Sequence, residues 1–242
     1  MIERWALVSG LKGDLETYEL IQRDLKKARG ITALFVLGDM VGPERNCDAL
    51  LNRLQNPRRD ELQPQCIYGW WEEQLLTEQG LRGEQKADAL RLNHGEEAVT
   101  ALLNAVDTYH LKWLSSLQFG FIELDCGLIH GSSADIGDNL TSETSPLILI
   151  DRLTRLDVNR LFTAHSTKQF HLELTGGGLD SQVKDLNGES QHQQKVSKQS
   201  IIGIGAGASY TIYDVGSDKT HFLTAGGQCN TPGKGFAEQS SL

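Results

Sequence analysis

The chain has 242 residues, with 32 acidic side chains against 23 basic ones and a formal charge of -9 at pH 7. That length carries one large core without disulfide or metal staples, and an acidic chain lacking clustered Lys and Arg is unsuited to nucleic acid or an anionic membrane surface. Four scattered cysteines without a CxxC pair read as free thiols, and no apolar run forms a leader or approaches the roughly 20 residues of a membrane span, so a cytoplasmic protein is expected.

The first apolar run, residues 4–9, stops at Ser9 and is followed by the turn Gly10, Leu11, Lys12 and Gly13. From Asp14 the spacing of Leu15, Tyr18, Ile21, Leu25 and Ala28 predicts an amphipathic helix. Apolar runs at 32–38 and 65–69 follow, separated by helical patterns closed by Gly30 or Pro57, which predicts parallel strands joined by right-handed crossovers. From Trp71 to about Ser116 the chain is polar and helical with breaks at Gly80, Gly83 and Gly95, so a helical insertion is expected over about 72–116.

Strands then return. "FGFIEL" and "GLIHG" predict a hairpin, and Ser145 with Pro146 predicts a capped helix start. "RLFTAHS", "QFHLELT", "SIIGIGA", "SYTIYDV" and "KTHFLTA" predict a β-rich second half that stacks on the first. The polar, Gly-rich stretch 176–199 reads as a long mobile hairpin loop. Residues 1–225 are expected to form a single domain and 226–242 a disordered tail.

Side chains at strand C-termini converge on one crevice in α/β proteins. Here those ends read "SGLKGD", "LGDMVG", "YGWWEE", "LIHGSS" and, from the second half, "TAHSTKQ". In order and spacing these blocks, together with "GASYTIYD", resemble the calcineurin-like metallophosphoesterases of the small bacterial type over roughly residues 4–215. The resemblance implies a four-layer α/β/β/α sandwich, two metal ions and phosphoester hydrolysis.

It also implies a role for each matching position. Gly10 and Lys12 stand where the first block supplies an Asp and a His, and Asp39 stands where a carboxylate bridges both metals. Trp70 takes the place of a ligand Asn, and Trp71 that of the His that assists the leaving group, which leaves Glu72 without the imidazole it would orient. His130 and His165 keep their imidazoles, whereas Thr167 replaces the last histidine.

Sorted by metal, one ion would keep only Asp39. The other would keep Asp39, His130 and His165, a set suited to one divalent ion, manganese, iron or zinc. The same histidines also suit a core in which imidazoles bond backbone groups and no metal binds. Two-metal hydrolysis needs both ions about 3.5–4 Å apart, so no catalytic residue is assigned. Lys12, with Gly13 beside it, is the candidate anion site, a positive charge made of protein that also suits pairing with Asp39. Trp70 and Trp71 are expected to fill vacated volume or to contact a ring or a partner.

The expected function is therefore a phosphoesterase-like protein with a degraded dinuclear site that binds a phosphorylated small molecule, a nucleotide or a protein partner. The alternatives are a mononuclear metal-dependent phosphoesterase and a purely structural subunit. "GIGAG" at 203–207 precedes a strand, which excludes a dinucleotide fingerprint. His94, His110, His171, His192 and His221 match no motif.

Overall fold

The computed structural model describes residues 3–83, 87–174, 179–185, 188–194 and 198–227. In chain order the first part runs β1 (Arg4–Val8), α1 (Leu15–Lys27), β2 (Ile31–Leu37), α2 (Asp48–Gln55), β3 (Gln65–Ile67), α3 (Trp70–Glu78), α4 (Asp88–Asn104) and α5 (Thr108–Ser116). The second runs β4 (Gly120–Glu123), β5 (Cys126–Ile129), α6 (Pro146–Leu156), β6 (Arg160–Thr163), β7 (Gln169–Leu174), β8 (Leu179–Asp185), β9 (Gly188–Gln194), β10 (Gln199–Ile204), β11 (Ser209–Asp214) and β12 (Lys219–Thr224).

Strands that are apolar at successive positions must bury both faces, and two mixed sheets packed together do this. One sheet has the order β12-β11-β1-β2-β3, the other β4-β5-β6-β10-β7. In the first, β1, β2 and β3 are parallel and β11 and β12 return antiparallel. Trp5, Leu7, Phe35 and Leu37 point toward Leu128, Phe162, Ile202 and Ile204 of the second sheet. The alternate residues Ala6, Val8, Leu34 and Val36 face the helices, meeting Tyr18, Ile21, Leu50, Leu75 and Leu102. On the far side of the second sheet, Ile129, Leu161 and Ile201 meet Leu149 and Leu153 of α6. The result is the α/β/β/α sandwich.

The helical segment shares the main core. Trp71 and Leu75 of α3, Leu90, Val99 and Leu102 of α4, and Leu111 and Leu114 of α5 are buried with the residues of α1 and α2. Asp14 caps α1 by accepting the Thr17 N–H at 2.9 Å. The expected hairpin is β4 paired with β5. Within 176–199, β8 and β9 pair antiparallel as a separate ribbon, because a ladder of main-chain bonds needs no apolar alternation to form. Of the expected tail, residues 228–242 lie outside the described residues. No helix among the described residues is long and apolar enough to cross a membrane.

Neighbouring residues of β2 serve different cores, so both are sensitive. Leu34→Ala is expected to cost about 2–5 kcal/mol and Phe35→Ala about 3–5 kcal/mol. Urea unfolding checks this, and a neutral result at either position contradicts burial of both faces.

Candidate functional site

The turns after β1, β2 and β3 interlock through their backbones. Gly10 N–H donates to Gly38 O at 3.1 Å, Lys12 N–H to Asp39 O at 3.0 Å and Gly13 N–H to Met40 O at 2.8 Å. The buried Ser9 hydroxyl is shared between Leu37 O and Gly38 O at 2.9 and 3.0 Å. Gly38 (φ 74°) and Asp39 (φ 52°) are both left-handed. A Cβ on Gly69 would fall 2.4 Å from Asp39 N, so only glycine lets these two backbones meet.

Glu72 ties the junction together. Its fully buried carboxylate accepts Asp39 N–H at 2.8 Å, Val41 N–H at 2.8 Å and Gly69 N–H at 2.7 Å. The Gly69 contact closes a capping box at the start of α3. Burial, then the nearby Asp39 charge, pushes the Glu72 carboxyl upward, opposed by the Val41 and Gly69 N–H groups and by His130. Glu72 therefore has a structural partner set of its own, although the imidazole it would orient is missing.

The same frame aims Asp39. Its Oδ1 accepts the Trp71 N–H at 3.0 Å, at the N-terminal end of α3, and lies 3.4 Å from His130 Nε2. Burial raises its carboxyl, opposed by the Trp71 N–H and by the charges of His165 and Lys12. His130 Nδ1 is 2.7 Å from Leu37 O and must donate there, which leaves the Nε2 lone pair directed into the site. His130 O accepts both Ala164 N–H and His165 N–H at 2.8 Å, setting the two histidines side by side. His165 Nδ1 is 3.2 Å from His130 Nε2 and donates to that lone pair. Burial lowers the basicity of both imidazoles.

A cavity of about 290 Å³ opens beside this floor, lined among others by Lys12, Asp39, Trp70, Trp71, His94 and His165. The Lys12 ammonium lies 5.0 Å above the Trp71 ring and 3.8 Å from Glu44. Trp71 is buried and stands edge-on to Trp70, ring centres 5.0 Å apart. His94 packs against both indoles, 4.9 Å from Trp71 and 5.6 Å from Trp70.

The expected residues Asp39, His130, His165, Lys12, Trp70 and Trp71 are thus brought to one place. Gly13 lies beside them, buried against Arg45 and Cys47, with its N–H donated to Met40 O. Lys12 pairs with Glu44 and Trp71 and influences Asp39 through its field rather than by contact. His94 was invisible to motif reading. Its signal is the break at Gly95 (φ 81°, ψ 171°), which interrupts α4 at the cavity mouth.

The residues present do not fit a pair of metal ions. Gly10 has no donor side chain, the Lys12 ammonium carries positive charge, and the indoles of Trp70 and Trp71, which offer no lone pair to a metal, line the cavity beside Asp39. Among the described residues no group of three or more His, Cys, Asp or Glu is arranged to hold an ion. The His165 Nδ1–H is spent on His130 Nε2, and that nitrogen lies 3.4 Å from Asp39 Oδ1.

No family model and no curated protein matches the sequence. Among solved structures the chain is similar to a metallophosphoesterase from Sphaerobacter thermophilus, with TM-score 0.60 and 19% identity over 93% of this chain and 89% of that one. It is similar to a hypothetical protein from Pyrococcus horikoshii OT3, with TM-score 0.64 and 11% identity over 92% and 87%. A putative diadenosine tetraphosphatase superposes with TM-score 0.53 and 13% identity over 92% and 94%. The chain has the calcineurin-like metallophosphoesterase fold.

Glu72→Gln turns an amide donor toward the Val41 N–H or strips acceptors from Asp39 and Gly69. A loss of about 1–3 kcal/mol is expected. Denaturant unfolding reads it, and unchanged stability would remove Glu72 from its linking role.

Proposed function

We propose that this chain keeps the phosphoesterase crevice as a binding site for a phosphorylated small molecule, with protein groups standing where a dinuclear centre would be. The observation that carries this reading is Lys12. At the turn where the resemblance places an acid and an imidazole, the chain presents an ammonium held over Trp71 at the cavity, beside a buried carboxylate it partly offsets. A lysine is a compact point charge suited to phosphate oxygens. Ligand-sized cavities of about 300 Å³ suit a small molecule rather than a folded partner. The buried free thiols Cys47, Cys66 and Cys126 support residence in a reducing compartment such as the cytoplasm.

A second reading is favoured by one observation. The Nδ1–H of His130 bonded to Leu37 O, with Nε2 turned toward Asp39, is the orientation that a backbone carbonyl imposes on metal-binding imidazoles. For Asp39, His130 and His165 to hold a single divalent ion, whose chemistry would be to make a bound water more acidic, the His165 imidazole would have to turn its proton away from His130 Nε2.

Elemental analysis and calorimetry separate the two. The first reading expects no stoichiometric manganese, iron or zinc in protein purified without chelator, measurable inorganic phosphate binding, and a loss of about tenfold or more in phosphate affinity in Lys12→Met. One ion per chain that disappears in His165→Ala, with hydrolysis of a phosphodiester panel, would establish the second instead. Two ions per chain would reject both.

A further inference from the structure

The strand-end blocks build the floor of the cavity, but its rim comes from the helical segment. On either side of its break at Gly95, α4 is anchored in the core by Leu90, Val99 and Leu102. The break leaves Asn93 and His94 exposed at the cavity mouth on a fixed support. There the His94 imidazole meets both indoles, and Trp70 is only half-buried. The Lys12 ammonium and the His94 ring each lie about 5 Å from the centre of the same Trp71 indole. The cavity therefore has a cationic end and an aromatic end within the span of one small molecule.

We infer that the ligand of this cavity is a phosphate monoester of a planar, aromatic alcohol, its phosphoryl group on Lys12 and its ring on the open faces of Trp70 and His94. This rests on the phosphate-binding reading above and narrows it. An aliphatic ester would satisfy Lys12 equally well, but would gain nothing from the rings at the rim. An aryl ring gains the edge-to-face or offset contacts that aromatic pairs prefer, at centroid separations of about 4.5–7 Å. His94 is here a specificity residue; no proton transfer is assigned to it.

Titration calorimetry of the full chain with phenyl phosphate, glycerol 3-phosphate and inorganic phosphate tests the inference. Phenyl phosphate is expected to bind about 3- to 10-fold more tightly than glycerol 3-phosphate. His94→Ala should bring that ratio to within about twofold, and His94→Phe, which restores a ring, should recover it. Lys12→Met should weaken all three ligands together. Equal affinity of the native chain for the two esters, or a ratio that survives in His94→Ala, overturns the aromatic assignment while inorganic phosphate binding leaves the broader reading standing. Failure of every ligand, inorganic phosphate included, overturns both.

Discussion

The carboxylate of Glu72, buried and accepting three backbone N–H groups from the turns after β2 and β3, is the contact on which the rest of the crevice depends. Burying an isolated carboxylate is prohibitive, and charge-assisted bonds to several N–H groups offset that cost. Because two of those groups belong to Asp39 and Val41, the turn after β2 is held in a left-handed conformation that would otherwise be strained. The third belongs to Gly69, so the same oxygen pair fixes where α3 begins. Asp39 can then point at the first turn of α3 and at His130. Without this clamp, neither the floor of the cavity nor the position of Trp70 and Trp71 would be defined.

The site that results is electrostatically coherent without requiring two dications. Two carboxylates are buried here; burial raises the cost of ionising both, and the Asp39 charge adds to it at Glu72. Backbone donors, the α3 terminus, His130, His165 and the field of Lys12 stabilise the ionised forms in return. His165 donates to His130 and His130 to Leu37 O, and the Trp pair supplies apolar wall beside them. A cavity remains between them because Lys12 and His94 stand at its edges rather than across it.

Much of this was legible in sequence. The runs ending at Ser9, Gly38 and Gly69 mark strand ends by local chemistry, since apolar persistence and a glycine break are properties of neighbouring residues. The blocks around Asp39, His130 and His165 fall in an order that the sheet topology brings together. What surrounds Gly13 was not legible, because its close packing on Arg45 and Cys47 is a contact across the fold. The stretch 176–199 read as a hairpin without strands of its own, because its polar residues carry no alternating apolar signal; in the structure the main chain pairs it as β8 and β9.

By itself, then, the amino-acid order determined an α/β first half, a β-rich second half and the strand ends that face the crevice, because each is written in short-range pattern and residue type; the four-layer sandwich came through the family resemblance. Tertiary structure alone decided that Glu72 clamps two turns, that Lys12 lies on Trp71, and that His94 reaches both indoles from beside a helix break. Those are distances between residues far apart in the chain. They are set by how helices pack on a sheet, and no local periodicity encodes them.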